Sequence, residues 1–152
     1  MTDLFSDEYF MRIAYNEARK AADLGEIPVG AVVVANNLVI AKAHNQVQLL
    51  EDVTAHAEIL AITAASSYLG AKYLPDCTMY ITLEPCMMCA GALKWSQIGK
   101  IVYGAGDEKN GFMRFGKRLL HEKTKLEFGV MHDECSEIIK TFFLSKRRLE
   151  KS

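Results

Sequence analysis

The chain has 152 residues, of which 50% are hydrophobic and 24% are charged, as in an ordinary globular protein, and we expect one domain over residues 1–152. No apolar run reaches the length of a membrane span, and the first residues lack the basic and apolar layout of a signal peptide. Four cysteines are few for a disulfide scaffold of this size, so we expect a cytoplasmic protein.

The net charge of -1 is distributed unevenly along the chain. Residues 1–108 contain 7 basic against 13 acidic residues, whereas residues 109–152 contain 11 basic against 6 acidic ones. This asymmetry indicates either a polyanionic partner near the C-terminal third or a solvated face with a basic helix end. The charge pattern alone leaves both interpretations open.

Hydrophobic periodicity and turn residues predict helices and strands in mixed order. The first half is predicted to contain a helix from the Ser6 cap to Gly25, strands at 31–34 and 38–41 joined by an Asn36-Asn37 turn, and a helix at 55–68 ended by Gly70. The second half is predicted to contain strands at 78–83, 100–104 and 126–130, with helices at 85–95 and 133–148. Segments 43–53 and 106–116 are predicted as loops, with a helical turn near Leu119-Leu120. This order predicts a three-layer α/β/α sandwich with a central five-stranded mixed sheet.

The most informative segment is Glu84-Pro85-Cys86-Met87-Met88-Cys89, at the predicted start of a helix. Pro85 suits the first helical turn, because its missing N–H would have no partner there. Positions i and i+3 share a helix face, so the thiols of Cys86 and Cys89 can reach one point, where the helix dipole favours thiolates. Alone, this pair fits zinc, redox chemistry or coincidence.

A second cluster, Thr54-Ala55-His56-Ala57-Glu58, lies upstream. His56 offers a third ligand, and three ligands leave the fourth tetrahedral position open for water, as in catalytic zinc sites. Glu58 would then not bind the metal and could carry protons. The alternative is that Glu58 is a fourth ligand and the site is structural. Two residues span about 200° of an ideal helix, so His56 and Glu58 must reach the site by different routes.

His-x-Glu followed by Pro-Cys-x-x-Cys is the known signature of zinc nucleobase deaminases, so this match is recognition of a motif rather than a derivation. Hydrolytic deamination needs water to attack a ring carbon, a ring nitrogen to gain a proton, and ammonia to leave. We expect one Zn2+ per chain, bound by His56, Cys86 and Cys89. The ion would lower the pKa of its bound water toward about 7. Glu58 would move the protons.

Nearly the whole chain, from about Tyr9 to Arg148, resembles the bacterial tRNA-specific adenosine deaminases of the cytidine deaminase superfamily. Besides the zinc motif, the resemblance is carried by segments 25–32, 43–45, 53–58, 83–92, 133–135 and 142–143. It implies a cytidine deaminase-like fold, a homodimer, and a partner that is the anticodon loop of tRNA. The implied reaction converts adenosine to inosine at the wobble position of an arginine tRNA.

The resemblance also implies which residues bind the substrate. Those that would contact or line the pocket around the flipped nucleoside are Val29, Asn45 and the backbone N–H of Ala57. Those that would contact the anticodon loop are Asp107, Lys109, Phe143 and Arg147. Segment 112–117 departs from the better-known members, which have small residues and a longer stretch at this place.

Two other functions are compatible with the motif. The first is an enzyme of the same fold that acts on a free base or nucleoside, such as guanine or cytosine. The basic segment 142–148 argues against it, because a small substrate needs no cationic surface. The second is a non-catalytic, zinc-containing RNA-binding module, against which the open coordination position and Glu58 argue. Cys77 and Cys135 are interpreted as small buried residues.

Overall fold

The structure, a computed structural model, describes residues 4–151, so the outermost residues of the expected domain, 1–3 and 152, lie outside it. The helices are α1 (Asp7–Asp23), α2 (Val47–Leu50), α3 (Ala57–Leu69), α4 (Met87–Ser96) and α5 (His132–Lys151). The strands are β1 (Gly30–Ala35), β2 (Leu38–His44), β3 (Cys77–Leu83), β4 (Lys100–Ala105) and β5 (Lys125–Phe128). Two short 3-10 helices, Phe112–Arg114 and Lys117–Leu119, lie between β4 and β5.

The five strands form one mixed sheet in the order β2-β1-β3-β4-β5. Strand β1 is antiparallel to both of its neighbours, whereas β3, β4 and β5 are parallel to one another. The hairpin between β1 and β2 closes through Asn36 and Asn37, whose φ angles of 51° and 62° are those of a tight two-residue turn. Helix α4 provides the crossover from β3 to β4, as parallel pairing requires.

Alternate residues of the central strands pack into two separate cores. Val33 and Ile81 join a cluster that includes the buried faces of α3 and α4. Their neighbours Val32 and Tyr80 join a second cluster with residues of α1 and α5. Because helices cover both faces of the sheet, its central strands are apolar throughout rather than alternating. The predicted three-layer α/β/α sandwich with a five-stranded mixed sheet is confirmed.

Helix α1 packs against the first residue of β1 without an intervening side chain. A Cβ atom at Gly30 would overlap the carbonyl oxygen of Ala14 and lie 2.5 Å from the backbone nitrogen of Ala18. Only glycine therefore permits this approach. The N–H of Gly30 donates to Oγ1 of Thr82 over 3.1 Å, which ties the start of β1 to the end of β3. Both cysteines of the motif follow directly after that strand end.

The prediction that Pro85 occupies the first turn of a helix is wrong. Helix α4 begins at Met87, and Cys86 is its N-cap residue in an extended conformation, with φ -74° and ψ 173°. Pro85 therefore precedes the cap. Its carbonyl oxygen instead accepts the N–H of Phe112 over 2.9 Å, so it belongs to a tertiary contact that helix rules do not describe.

The predicted loop at 43–53 also contains regular structure. Strand β2 continues to His44, and the single-turn helix α2 follows at Val47–Leu50. The Glu26 carboxylate accepts the N–H groups of Gln48 and Leu49, over 3.0 and 2.8 Å. These donors would otherwise be unsatisfied at a helix start. Because the acceptor comes from a residue more than 20 positions away, local sequence rules do not predict this helix.

In the second predicted loop, at 106–116, the structure has the 3-10 helix Phe112–Arg114. The turn predicted near Leu119-Leu120 is the 3-10 helix Lys117–Leu119. Strand β5 ends at Phe128, two residues before the predicted end. Within residues 4–151, none of the helices is both long and apolar enough to cross a membrane.

Candidate active site

Two helix starts bring the histidine and the cysteines of the motif together. His56 is the N-cap residue of α3 and Cys86 is the N-cap residue of α4, and both have extended backbones. Cys89 lies in the first turn of α4 and is buried. Nδ1 of His56 is 3.7 Å from Sγ of Cys86 and 3.5 Å from Sγ of Cys89.

These three side chains fit a zinc ion by their chemistry and spacing. Zinc prefers imidazole nitrogen and thiolate ligands, and a tetrahedral site with ordinary bond lengths separates a nitrogen from a sulfur ligand by about 3.6 Å. The ligand atoms of His56, Cys86 and Cys89 all lie within 4.8 Å of one another, and no other residue of the described part of the chain joins this group. Glu58 lies outside this group.

The thiols and the imidazole perturb one another's protonation. The hydrogen bond from Cys89 lowers the pKa of Cys86 to about 4. The same hydrogen bond is the first cause of the raised pKa of Cys89. The hydrogen bond to Cys86 also raises the pKa of His56. A metal cation bound here would displace these protons, because its ligands must be deprotonated.

Glu58 lies in the first turn of α3 and is only 4% exposed. Burial is the main cause that raises the pKa of Glu58 to about 7, and negative charge on Cys86 contributes to the rise. A carboxyl group with a pKa near neutrality can both accept and release protons at physiological pH. Because His56 projects from the extended cap residue and Glu58 from the helix itself, the two side chains reach the site by different routes, as their spacing required.

One cavity of about 1220 Å³ connects this cluster with the surface. Most of the residues proposed from sequence line it, namely Val29, Asn45, His56, Glu58, Cys86, Asp107, Lys109, Phe143 and Arg147. Ala57 and Cys89 are fully buried and are not among the residues that line the cavity. The structure thus gathers residues from positions 29 to 147 around one opening.

A hydrogen bond joins Asn45, which lines the cavity, to the buried residue Ala57. The N–H of Ala57 donates to Oδ1 of Asn45 over 2.9 Å. Asn45 is buried, and its backbone N–H donates to the carbonyl oxygen of Val29 over 3.1 Å. The Asn45 side chain therefore connects the end of β2 to the start of α3, and its amide NH2 group is the donor that it can present to a ligand.

Segment 106–115 forms one side of the cavity mouth. Oδ1 of Asp107 accepts the N–H groups of Lys109 and Asn110, over 3.2 and 3.0 Å. The guanidinium group of Arg114 donates to the carbonyl oxygen of Lys109 over 2.6 Å. The Lys109 side chain is exposed, and with Arg114 it adds positive charge to the mouth.

Helix α5 supplies aromatic and basic side chains to the same cavity. Phe143 is 37% exposed and lines the cavity together with Lys146 and Arg147. Nζ of Lys146 lies 5.4 Å from the ring centroid of Phe142. Exposed aromatic rings beside cations are the combination that holds single-stranded nucleic acid, by stacking and by phosphate attraction.

Two buried carboxylates of the site were not identified from the sequence. Glu26 and Glu84 both line the cavity, and each accepts two backbone N–H groups, Glu26 from helix α2 and Glu84 from segment 107–113. In the sequence, each is an acidic residue within an otherwise apolar or proline-containing segment next to a turn. That isolation of a charge among apolar residues is the pattern that could have indicated buried carboxylates.

The arrangement combines a three-residue cluster that fits a metal ion, a buried carboxyl group and a mouth with aromatic and basic side chains. Comparisons with known proteins agree with it. The family of MafB19-like deaminases matches residues 5–147. A curated protein of Aquifex aeolicus (strain VF5), named tRNA-specific adenosine deaminase, is 43% identical over 145 residues, which cover 92% of this chain and 95% of that protein.

Two solved structures are informative. A structure from a study of A-to-I editing by tRNA:A34 deaminases at the wobble position of transfer RNA is 41% identical, with a TM-score of 0.81. The alignment covers 86% of this chain and 98% of that chain. A guanine deaminase from Bacillus subtilis is 40% identical, with a TM-score of 0.64, over 66% of this chain and 65% of that chain.

Proposed function

The chain belongs to the MafB19-like deaminase family, and from that premise we propose that it deaminates adenosine to inosine at the wobble position of tRNA. The observation that carries the proposal is one cavity of about 1220 Å³, in which the His56–Cys86–Cys89 cluster opens toward Lys109, Phe143 and Arg147. Small-molecule pockets typically measure about 300–1,000 Å³. The cavity therefore has room for a flipped nucleoside together with its neighbouring nucleotides.

One zinc ion per chain is the proposed cofactor, bound by His56, Cys86 and Cys89. Zinc held there would supply a water with a pKa lowered toward about 7. Support comes from the donor set and from nitrogen–sulfur distances of 3.5 and 3.7 Å, which match a tetrahedral site.

Glu58 is the proposed general acid and base. Its carboxylate takes a proton from the attacking water and delivers it to the ring nitrogen next to the attacked carbon. The remaining hydroxyl proton then passes through the same carboxylate to the exocyclic amine, which leaves as ammonia. Adenosine and water thus become inosine and ammonia with all atoms balanced. Burial of Glu58 keeps its pKa near 7, so it can serve each transfer.

Substrate contacts are proposed for residues on both sides of the cavity. The side-chain NH2 group of Asn45 would donate a hydrogen bond to the flipped nucleoside. The N–H of Ala57, which donates to Oδ1 of Asn45, would fix the orientation of that side chain, and Val29 would pack along the pocket wall. The contacts to the anticodon loop are proposed for Asp107, Lys109, Phe143 and Arg147. We place this activity in the cytoplasm, because none of the four cysteines takes part in a disulfide, as is usual in a reducing compartment.

A homodimer is also part of the proposal. Trp95 of α4 is 82% exposed and Tyr68 of α3 is 61% exposed, on two helices that pack against each other. Large exposed aromatic residues are enriched where proteins associate. Light scattering should give twice the chain mass for the wild-type protein and a lower mass for Trp95→Glu, with Leu38→Glu, an exposed β2 position, as the control. A monomeric wild-type protein would contradict the dimer.

The first rival is a deaminase of a free base, which the similarity to a guanine deaminase favours. The second is a non-catalytic RNA-binding module, in which the buried Glu58 would have no function.

One experiment separates the three functions: inosine formation on an anticodon stem-loop, measured beside deamination of free adenosine, cytidine and guanine. We expect turnover of the stem-loop with a kcat/KM at least about 100-fold above that of any free compound. Turnover of guanine or cytidine alone would support the first rival, and no turnover would support the second.

A further inference from the structure

We propose that Glu84 is a positioning residue, which holds segment 107–113 in the conformation that recognises RNA. The inference rests on the proposed function, because it concerns how that substrate is recognised. Glu84 does not touch the reacting atoms. It acts through the loop that carries Asp107 and Lys109 at the cavity mouth.

The Glu84 carboxylate bonds both ends of this segment at once. It is 8% exposed, and its Oε1 accepts the N–H of Asp107 over 3.1 Å. Its Oε2 accepts the N–H of Met113 over 3.0 Å. Hydrogen bonds to a carboxylate are stronger than those between neutral groups, so one side chain fixes two points of the loop six residues apart.

The loop closes around this carboxylate without room for another side chain. A Cβ atom at Gly111 would overlap the carboxylate of Glu84 and lie 2.5 Å from the carbonyl oxygen of Asp107. Gly111 also forms a single antiparallel β-bridge with Cys86. The loop is therefore hydrogen-bonded on one side to Glu84 and joined on the other side by the β-bridge to Cys86, a proposed metal ligand.

This arrangement couples the position of the loop to the metal site. Glu84 lies two residues before Cys86, and the N–H of Phe112 donates to the intervening Pro85 over 2.9 Å. The same loop presents Lys109 to the cavity mouth. A loop held in its binding conformation before the substrate arrives avoids the entropic cost of ordering on binding. Glu84 should thus contribute to recognition of RNA rather than to the chemical step.

The test is the variant Glu84→Gln, which keeps the shape of the side chain. Its amide has one oxygen acceptor, and its NH2 group cannot accept an N–H, so one of the two loop bonds is lost. We expect the KM for an anticodon stem-loop to rise about tenfold, the factor that corresponds to one charge-assisted hydrogen bond. We expect kcat at saturating stem-loop to stay within about twofold, because Glu58 and the metal ligands are unchanged.

The matched control is Glu17→Gln in α1. Glu17 is also a buried carboxylate, 6% exposed, but its partner is Lys20 over 2.7 Å and it does not line the cavity. A purely structural effect would lower the melting temperature in both variants and leave KM unchanged. The inference requires a raised KM in Glu84→Gln only, with zinc content equal in all three proteins.

Amide hydrogen exchange gives a second readout. Exchange of the Asp107 or Met113 N–H should become faster in Glu84→Gln and stay unchanged in Glu17→Gln. An unchanged KM, or a raised KM with unchanged exchange at both amides, would overturn the inference while the proposed function stands. A wild-type enzyme that forms no inosine in any stem-loop would instead overturn the proposed function, and with it the RNA role of Glu84.

Discussion

His56 and Cys86 hold equivalent positions in two different helices. Each is the N-cap residue of its helix, with an extended backbone, and Nδ1 of one lies 3.7 Å from Sγ of the other. The N-termini of α3 and α4 therefore converge on one point. Because helix N-termini carry partial positive charge, both helices favour the thiolate form of a cysteine there. The N-termini of α3 and α4 thus supply both the three side chains of the cluster and an electrostatic field that favours negative charge.

Removal of either cysteine ligand should abolish metal binding. We expect Cys86→Ala and Cys89→Ala to fall from about one zinc per chain to nearly none, with reduced stability, because metal binding and folding are coupled. Elemental analysis measures the zinc and thermal unfolding measures the stability. Cys77→Ala is the control, because Cys77 is buried in the core cluster beneath α3 and α4, outside the ligand group, and should retain the metal. Full zinc retention in both ligand variants would disprove the assignment.

Replacement of Glu58 should stop the chemistry and leave the metal in place. Glu58→Ala is expected to lose about 10²–10⁴-fold in turnover, the usual contribution of general acid–base transfer. Glu58→Gln, which keeps the side-chain volume but cannot carry the proton, should lose about as much. Single-turnover assays and zinc analysis of both variants check this. A Glu58 variant without metal would show that Glu58 is a ligand and that the proposed mechanism is wrong.

Neutralisation of the basic end of α5 should weaken RNA binding through the phosphates. In Lys146→Ala/Arg147→Ala, the dissociation constant for the anticodon stem-loop should rise, and its log–log salt slope should fall by about 0.7 for each lost phosphate contact. The double variant Lys42→Ala/Lys72→Ala removes the same charge from residues outside the cavity lining and should keep the wild-type slope. Equal slopes in all three proteins would mean that this end of α5 is only a solvated face.

The thiol of Cys135 should resist alkylation at moderate pH. Cys135 is fully buried, and burial raises its pKa to about 12, so at pH 8 only about one molecule in ten thousand carries the reactive thiolate. Labelling with iodoacetamide, followed by mass spectrometry, should be negligible at pH 8 and should increase only as the pH approaches 12. Burial also raises the pKa of Cys77, so the thiol of Cys77 should likewise resist alkylation. In guanidinium chloride both should react fully, and rapid labelling of the native protein would contradict the packing.

The sequence alone predicted the cluster of His56, Cys86 and Cys89 that the structure brings together, because metal ligation depends on residue chemistry at close spacing. Cys86 and Cys89 are three residues apart, and His56 and Glu58 are two apart, so each pair has little freedom once its helix start forms. The sheet was equally predictable: β-branched strands, the Asn36-Asn37 turn and intervening helices leave few topologies for a five-stranded mixed sheet. Cys77 and Cys135 were also correctly interpreted as buried residues.

Only the tertiary structure decided what surrounds the metal site. Helix α2 depends on the distant carboxylate of Glu26, and segment 107–113 depends on Glu84, so neither conformation follows from local preferences. The hydrogen bond from the Ala57 N–H to Asn45 likewise joins two residues 12 positions apart, a spacing that no helix or strand pattern predicts. Hydrogen bonds of this kind form only after the strands have brought their partners together. The sequence therefore specifies which residues can do the chemistry, and the packed fold specifies which loops and which helix end line the cavity around them.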